Sequence, residues 1–425
     1  EAAAWRYASE GFKNILAITG DYPTGGFGGR ADPVFDFDSI ALISLLKSMN
    51  KGLNVVGRSG KPEMLPPTDF FIGCVVSPFK RHERELVPQY FKLVRKIAAG
   101  AQWVIPQLGY DMRKFDEVRL FLESRGITKV PIVGNVYLLN RGVARLFNSG
   151  KLAGCVVSNE LLKKIETYAA GPDKGKRFCQ ELAAKQLAIF RGLGFAAGYL
   201  GGIHKADDFG PIIELAESYA TQDWKEFMRE IQFSQPEEFF FFEHNFYTGE
   251  SSAKRINRSY LESLRFPPKT KQVTWNYRIS RLVHRWAFTR DKALYPLLKK
   301  IFARFDRKPG FLSRMAYRVE RISKLAMYGC KDCGDCSLPD CAYLCPKKSC
   351  SKGSRNGPCG GSSDGRCELD DKECFWARIY ERLKFYGESE SMLNRPPIFY
   401  NASLKETSSW INTYLDRDHN TKKWD

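Results

Sequence analysis

Asn14-Ile-Leu-Ala-Ile-Thr-Gly-Asp-Tyr-Pro23 is a short apolar, β-branched run that stops abruptly in glycine, aspartate and proline. Such a run reads as a buried strand, and its ending as a loop. Working outward, runs of the same kind recur at Phe70 to Ser77, Gln102 to Leu108, Lys129 to Val136, Leu152 to Ser158 and Gly194 to Gly201. Between them the apolar spacing changes to that of helices, at Asp38 to Met49, Val87 to Ala99, Met112 to Arg125, Asn140 to Ser149 and Lys176 to Leu193. This α/β alternation predicts six strands, which suit either an open doubly wound sheet or most of an eight-stranded barrel. Polar residues and glycines gather where the strands end: Gly20-Asp21, Gln107, Asn159-Glu160 and His204. Barrel enzymes build their sites at carboxyl-terminal strand ends. The glycine-rich run Pro23 to Asp32 lacks the Walker pattern and reads as a loop over a cofactor.

The chain has 425 residues and a formal charge of +18, enough length for a large domain and one or two smaller ones. The charge favours anionic partners: an acidic protein, an anionic membrane or an acidic small molecule. No stretch approaches the roughly 20 apolar residues of a membrane span. Basic residues are spread along helices rather than gathered beside the cysteines, which argues against nucleic acid.

Nine of the twelve cysteines fall between Cys330 and Cys374. That density in a long chain is unlike a secreted disulfide scaffold, and it reads as coordinated thiolates in a reducing, cytoplasmic setting. Cys330, Cys333 and Cys336 repeat as C-x-x-C-x-x-C, and Cys345 precedes proline, as in ferredoxin-like ligation. The gaps to Cys341 and Cys345 are longer than in ferredoxins. Cys350, Cys359, Cys367 and Cys374 form a second candidate set, separated by a turn-rich run. Two chemistries stay open: [4Fe-4S] clusters, and structural zinc on four thiolates. Between Lys269 and Arg321 the chain is rich in arginine, lysine and aromatics at helical spacing. This predicts basic amphipathic helices, either a connector packed on the barrel or a surface for a membrane or an acidic partner. His284 reads as a helix-face residue, and Glu237-Glu-Phe-Phe-Phe-Phe-Glu243 as a buried contact.

The opening run, Asn14 to Pro23, resembles the strand, Gly-Asp and proline of the methylenetetrahydrofolate reductase barrel. Leu93-Val-Arg-Lys-Ile-Ala-Ala-Gly-Ala-Gln-Trp-Val-Ile-Pro-Gln107 resembles that family's helix-strand signature ending in glutamine. The cysteine segment, with Asn356-Gly-Pro-Cys-Gly-Gly361, Asn401-Ala-Ser-Leu-Lys405 and Ser408-Ser-Trp-Ile-Asn412, is similar to the C-terminal domain found with one bacterial branch.

The resemblance implies a (β/α)8 TIM barrel that exchanges a hydride between reduced flavin (FAD, with FMN as the variant) and the methylene carbon of a tetrahydrofolate. By motif, Asp21 stabilises the iminium charge and Gln107 hydrogen-bonds the folate. Thr19, Gly20, Asp21 and Asp38 lie beside the flavin, and Arg95 and Lys96 near its phosphates. The barrel is expected over residues 1–245, lacking its first two strands, with a helical connector over 246–322 and the cysteine-rich domain over 323–425. No residue matches the family's proton-donating glutamate of the first strand. A fragment of a longer polypeptide, completion by another chain and loss of activity all fit that gap. An oligomer is expected, with an acidic electron donor or partner subunit. The rival readings are a non-catalytic accessory or scaffold subunit, and a folate-dependent methyltransferase or demethylase component.

Overall fold

The computed structural model describes residues 1–421 apart from 23–27, 29–32, 58, 204, 206–207, 246–247 and 308–309. His204, and all of the Pro23 to Asp32 loop except Gly28, therefore lie outside the described residues. The chain opens with α1 (Ala2–Ser9), β1 (Asn14–Ala17) and α2 (Ser39–Asn50), then an antiparallel pair, β2 (Leu53–Val56) and β3 (Pro62–Leu65). Next come β4 (Phe71–Val76), α3 (Glu83–Ala99), β5 (Trp103–Pro106), α4 (Met112–Ser124) and β6 (Val133–Tyr137). Helices α5 (Arg141–Asn148), α6 (Asn159–Tyr168) and α7 (Lys176–Gly192) lead to β7 (Ala197–Gly201), α8 (Gly210–Ser218) and α9 (Trp224–Glu230).

Strands β1, β4, β5, β6 and β7 are all parallel, and their order along the sheet follows the chain. β4 pairs with β1 on one side and β5 on the other, and β6 pairs with β7. The two sheets meet where Val104 bridges Ile132 and its N–H donates to Pro131 O at 3.0 Å. Parallel neighbours joined by helical crossovers make an α/β fold.

Two expectations change. Residues 152–158 form no strand: Gly154 adopts φ +83, and Cys155 N–H bonds back to Leu152 O, so the backbone turns before Ser158 caps α6. The arc therefore has five strands rather than six, and among the described residues β1 and β7 each keep one edge unpaired. β2 and β3, also unforeseen, lie outside the arc.

The helices form where caps and apolar stripes coincide. Asp38 caps α2 by accepting from Ile40 and Ala41 N–H (3.1 and 3.2 Å). Between α3 and α4, buried Glu117 accepts from Tyr90 Oη (2.7 Å) and from the N–H of Phe241 (2.6 Å) and Phe242. Lys114 pairs with it at 3.2 Å, also buried. The phenylalanine run after α9 is thus held against α3 and α4, with Phe241 and Phe121 centroids 5.1 Å apart.

The rest of the chain wraps this core. Helices α10 (Arg258–Arg265), α11 (Trp275–Val283), α12 (Leu294–Arg307) and α13 (Phe311–Tyr328) precede the cysteines, and a π-helical turn, His284–Phe288, follows α11. Within and after the cysteine segment lie α14 (Pro346–Ser349), the short pair β8 (Ser362–Ser363) and β9 (Arg366–Cys367), α15 (Phe375–Phe385) and α16 (Ser409–Tyr414). Helix α15 packs on α3, where Tyr380 Oη donates to Glu83 at 2.6 Å and Arg84 pairs with Glu381 at 3.0 Å. One hydrophobic core includes Leu86, Val87, Tyr90 and Phe91 of α3 with Cys341, Leu344, Trp376 and Ile379. The cysteine segment is therefore built into the side of the α/β core rather than tethered to it.

Candidate functional site

The strand ends carry the residues picked out by sequence. Beyond β1, Thr19 Oγ1 accepts from Ser39 N–H at 3.3 Å, while Gly20 and Asp21 are exposed. Beyond β5, Gln107 N–H is fixed on Val76 O (2.8 Å) and its Oε1 accepts from Leu108 N–H (3.0 Å). Its Nε2 remains turned toward Gly154, 3.3 Å from where a Cβ at that glycine would stand. Between them, beyond β4, Ser77 Oγ is buried without a hydrogen-bond partner. Asp21 and Gln107 thus follow β1 and β5, the two strands that flank β4 and so run roughly 10 Å apart.

Over these ends lies the loop Asn356 to Gly361, held by cations from the α/β core. Lys80 Nζ donates to Gly360 O (2.6 Å) and also to Ser362 O. Lys92 Nζ donates to Gly357 O (3.2 Å) and Pro358 O (3.0 Å). Arg95 donates to Asn356 O (2.8 Å) and Pro396 O (3.2 Å), and Lys96 to Val75 O (2.7 Å). Asp38 accepts from the backbone and side-chain amides of Asn356. Burial lowers the pKa of Lys92, and that of Lys96 to about 8, with Asp38 and Cys359 pulling the other way. Asp38, Arg95 and Lys96 are thus buried under the cysteine segment, with their polar atoms engaged there or on β4. Lys352 of the same segment lies within reach of Asp21's charge and over the Phe35 ring.

All twelve cysteines are free thiols. Burial raises the pKa of most of the nine in the segment, and the other cysteines that each one feels sort them into two sets. Cys333 is pushed up to about 12 by burial and by Cys336, Cys345 and Cys330; Cys345 feels Cys336 and Cys330. Cys350 is pushed up to about 12 by burial, Cys359 and Cys374, while Cys367 and Cys374 also feel Cys359. Cys341 is fully buried and feels only Cys345 among them.

Among the described residues, no group of three or more His, Cys, Asp or Glu is placed to hold a metal ion as it stands. The donor chemistry nevertheless fits a thiolate-bound group, because backbone N–H groups already point at the sulfurs. Asp332 N–H reaches Cys330 Sγ at 3.3 Å, and Gly361 N–H reaches Cys359 Sγ at 3.4 Å. Others serve Cys345, Cys350, Cys367 and Cys374. Neutral thiols accept weakly; such donors matter when sulfur carries charge.

The molecule is thus an α/β protein with a thiol-rich segment clamped over the carboxyl ends of its parallel strands. Residues 1–197 match the family model described as methylenetetrahydrofolate reductase, and residues 311–399 the one described as methylene-tetrahydrofolate reductase C terminal. The chain belongs to the methylenetetrahydrofolate reductase family and carries that C-terminal domain. No curated protein matches the chain.

Sequence reasoning missed Ser77, Lys80, Lys92, Lys352 and Asn356. The lysines sit in charged stretches that read as solvated surface, and only the docked cysteine segment gives them a task. His284 begins the π-helical turn and lines a cavity of about 560 Å³ with Tyr328, Tyr343, Trp410 and Cys336.

Proposed function

We propose that the chain is a flavin-dependent oxidoreductase interconverting 5,10-methylenetetrahydrofolate and 5-methyltetrahydrofolate. Residues 1–245 bind flavin and folate as part of a (β/α)8 barrel, 246–322 connect, and 323–425 hold the thiolate-bound group. The reading rests on the seating of the Cys359 loop beside Ser77, at the end of β4. A Cβ at Gly360 would stand 3.8 Å from Ser77 Cβ, which supports a role for the second cysteine set beside the end of β4. The unpartnered Ser77 Oγ and the open space around Gly20 fit a polar ligand there.

Bound flavin (FAD) supplies the hydride chemistry. The chain's own residues supply charge and position. Asp21, a carboxylate at the rim, favours the cationic iminium form of the folate over its neutral precursor. Gln107 presents Nε2 to orient the pterin, because its Oε1 is held by the backbone of Leu108. Lys80, Lys92 and Arg95 fix the height of the Cys359 loop and shut water out from beneath it. The two cysteine sets, one at the mouth and one beyond it, suit a relay on iron-sulfur clusters, whereas zinc would make the segment a dock.

The test is anaerobic purification with flavin, iron, sulfide and zinc quantified on one sample, followed by oxidation of 5-methyltetrahydrofolate with a viologen dye. Flavin with dye reduction supports the proposal. Absence of both from a preparation supplied with flavin overturns it.

A further inference from the structure

Helix α13 is amphipathic the wrong way round. Its inward side carries Glu320 and Lys324, both buried and bonded to each other at 2.8 Å. Glu320 also accepts from Ser408 Oγ (2.5 Å) and from Ser409 N–H (3.1 Å), which ties the helix to α16. Its outward side carries Phe311, Leu312, Met315, Val319, Ile322 and Leu325, which are 44–69% exposed. Leu312, Met315, Val319 and Ile322 follow the three-four spacing of a helix-packing seam. An exposed apolar stripe of this length marks a contact surface, since a free surface helix turns such a stripe inward.

Charge identifies what covers it. Arg314, Arg318 and Arg321 flank the stripe and are exposed, while the one acidic residue of the helix, Glu320, faces inward. Neighbouring α12 adds exposed Lys300, Arg304 and Arg307. A second copy docking by the same face would set these cations against themselves. The arginines lie to one side of the stripe, and α12, packed on α13, exposes Leu297 and Ile301 as well. The stripe ends at a hollow of about 620 Å³ lined by Arg321, Leu325, Cys330 and Lys331 together with Asp332, which pairs with Arg321 at 3.5 Å, and Glu406, so whatever docks there stands next to the first cysteine set.

We propose that the exposed face of α13 and the Cys330 hollow are the docking surface for a small acidic electron-carrier protein, whose carboxylates ring an apolar centre. The proposal rests on the oxidoreductase reading for the partner's purpose, but its test does not. The test uses the full chain with its metal in place and a small acidic two-cluster ferredoxin as probe, with binding measured at low and high salt. Charge reversal at R314E/R318E/R321E is compared with K151E/K163E/K225E, an equal reversal on distant exposed lysines. The expected result is binding that weakens on raising salt, at least tenfold loss in the α13 variant, and little change in the control.

Equal binding by both variants overturns the proposal. So does a wild-type chain that ignores the ferredoxin but binds phosphatidylserine vesicles or self-associates in sedimentation. If the triple variant folds poorly, the single reversals R314E and R318E are compared with K163E, and equal binding by all three overturns the proposal. Dye-coupled oxidation of methyltetrahydrofolate, which needs no carrier, is expected to persist in the α13 variant; loss of dye activity in the wild type would count against the oxidoreductase reading instead.

Discussion

Asp38 and Asn356, 318 positions apart in the chain, meet through two hydrogen bonds, 2.9 Å to the Asn356 backbone N–H and 3.2 Å to its side-chain amide. The same asparagine binds both polar groups of Ile398, at 2.7 and 3.0 Å, and accepts from Arg95. Buried networks of this kind cost more to break than the sum of their members suggests. Asn356→Ala would keep the backbone bonds to Asp38 and Arg95 but strip the amide from Asp38 and from both polar groups of Ile398 in a dry interface. Destabilisation of about 2–4 kcal/mol is expected in denaturant unfolding. A loss below about 0.5 kcal/mol would show that water replaces the amide.

The two cysteine sets should empty independently. Cys359→Ser removes the sulfur that Cys350, Cys367 and Cys374 all feel, whereas Cys333→Ser strikes the set around Cys330, Cys336 and Cys345. Native mass spectrometry of each variant is expected to show loss of one bound group and retention of the other. Loss of both from either variant would mean one shared group.

Glu238 gives a pH signature to the phenylalanine run. Burial pushes its carboxyl up to about 7, against the pull of Lys114, and its Oε1 is shut from solvent without a partner. The folded state therefore holds this proton more tightly than the unfolded chain. Stability from this group is retained below pH 4.5 and lost as the pH rises toward 7. After allowance for partial exposure the loss is about 2 kcal/mol. Relative to wild type, Glu238→Gln should gain about that much between pH 5 and 8 in thermal or urea unfolding. Parallel pH profiles for the two proteins would refute the assignment.

The parallel strands and their helices were legible because each strand is a short apolar run closed by glycine, proline or a polar residue, as at Thr19-Gly20-Asp21. Residues 152–158 have the same composition, yet Gly154 turns the backbone, and hydropathy alone does not see a φ angle. The family was legible from two motifs and the cysteine spacing. The clamp was not. Lys80, Lys92 and Arg95 become site residues only when a loop some 260 to 280 positions away is laid across them, and no local pattern encodes that distance. Helix α13 shows the opposite failure, because its periodicity announces a helix but does not say which face is inside.

Asp21 is the sharpest test of the catalytic reading. It is exposed at the end of β1, with Lys352 as its charged neighbour. A carboxylate that only closes a loop can become an amide at little cost, because asparagine keeps the same turn geometry. A carboxylate that stabilises a cationic folate cannot, because its charge is the contribution. Asp21→Asn is therefore expected to keep flavin and fold while lowering kcat about 100-fold in dye-coupled oxidation of methyltetrahydrofolate. Gln107→Leu should instead raise KM with a smaller effect on kcat, since it removes a contact made before and during the reaction alike. An Asp21→Asn variant with unchanged kcat would return this carboxylate to the rim loop and refute its electrostatic role.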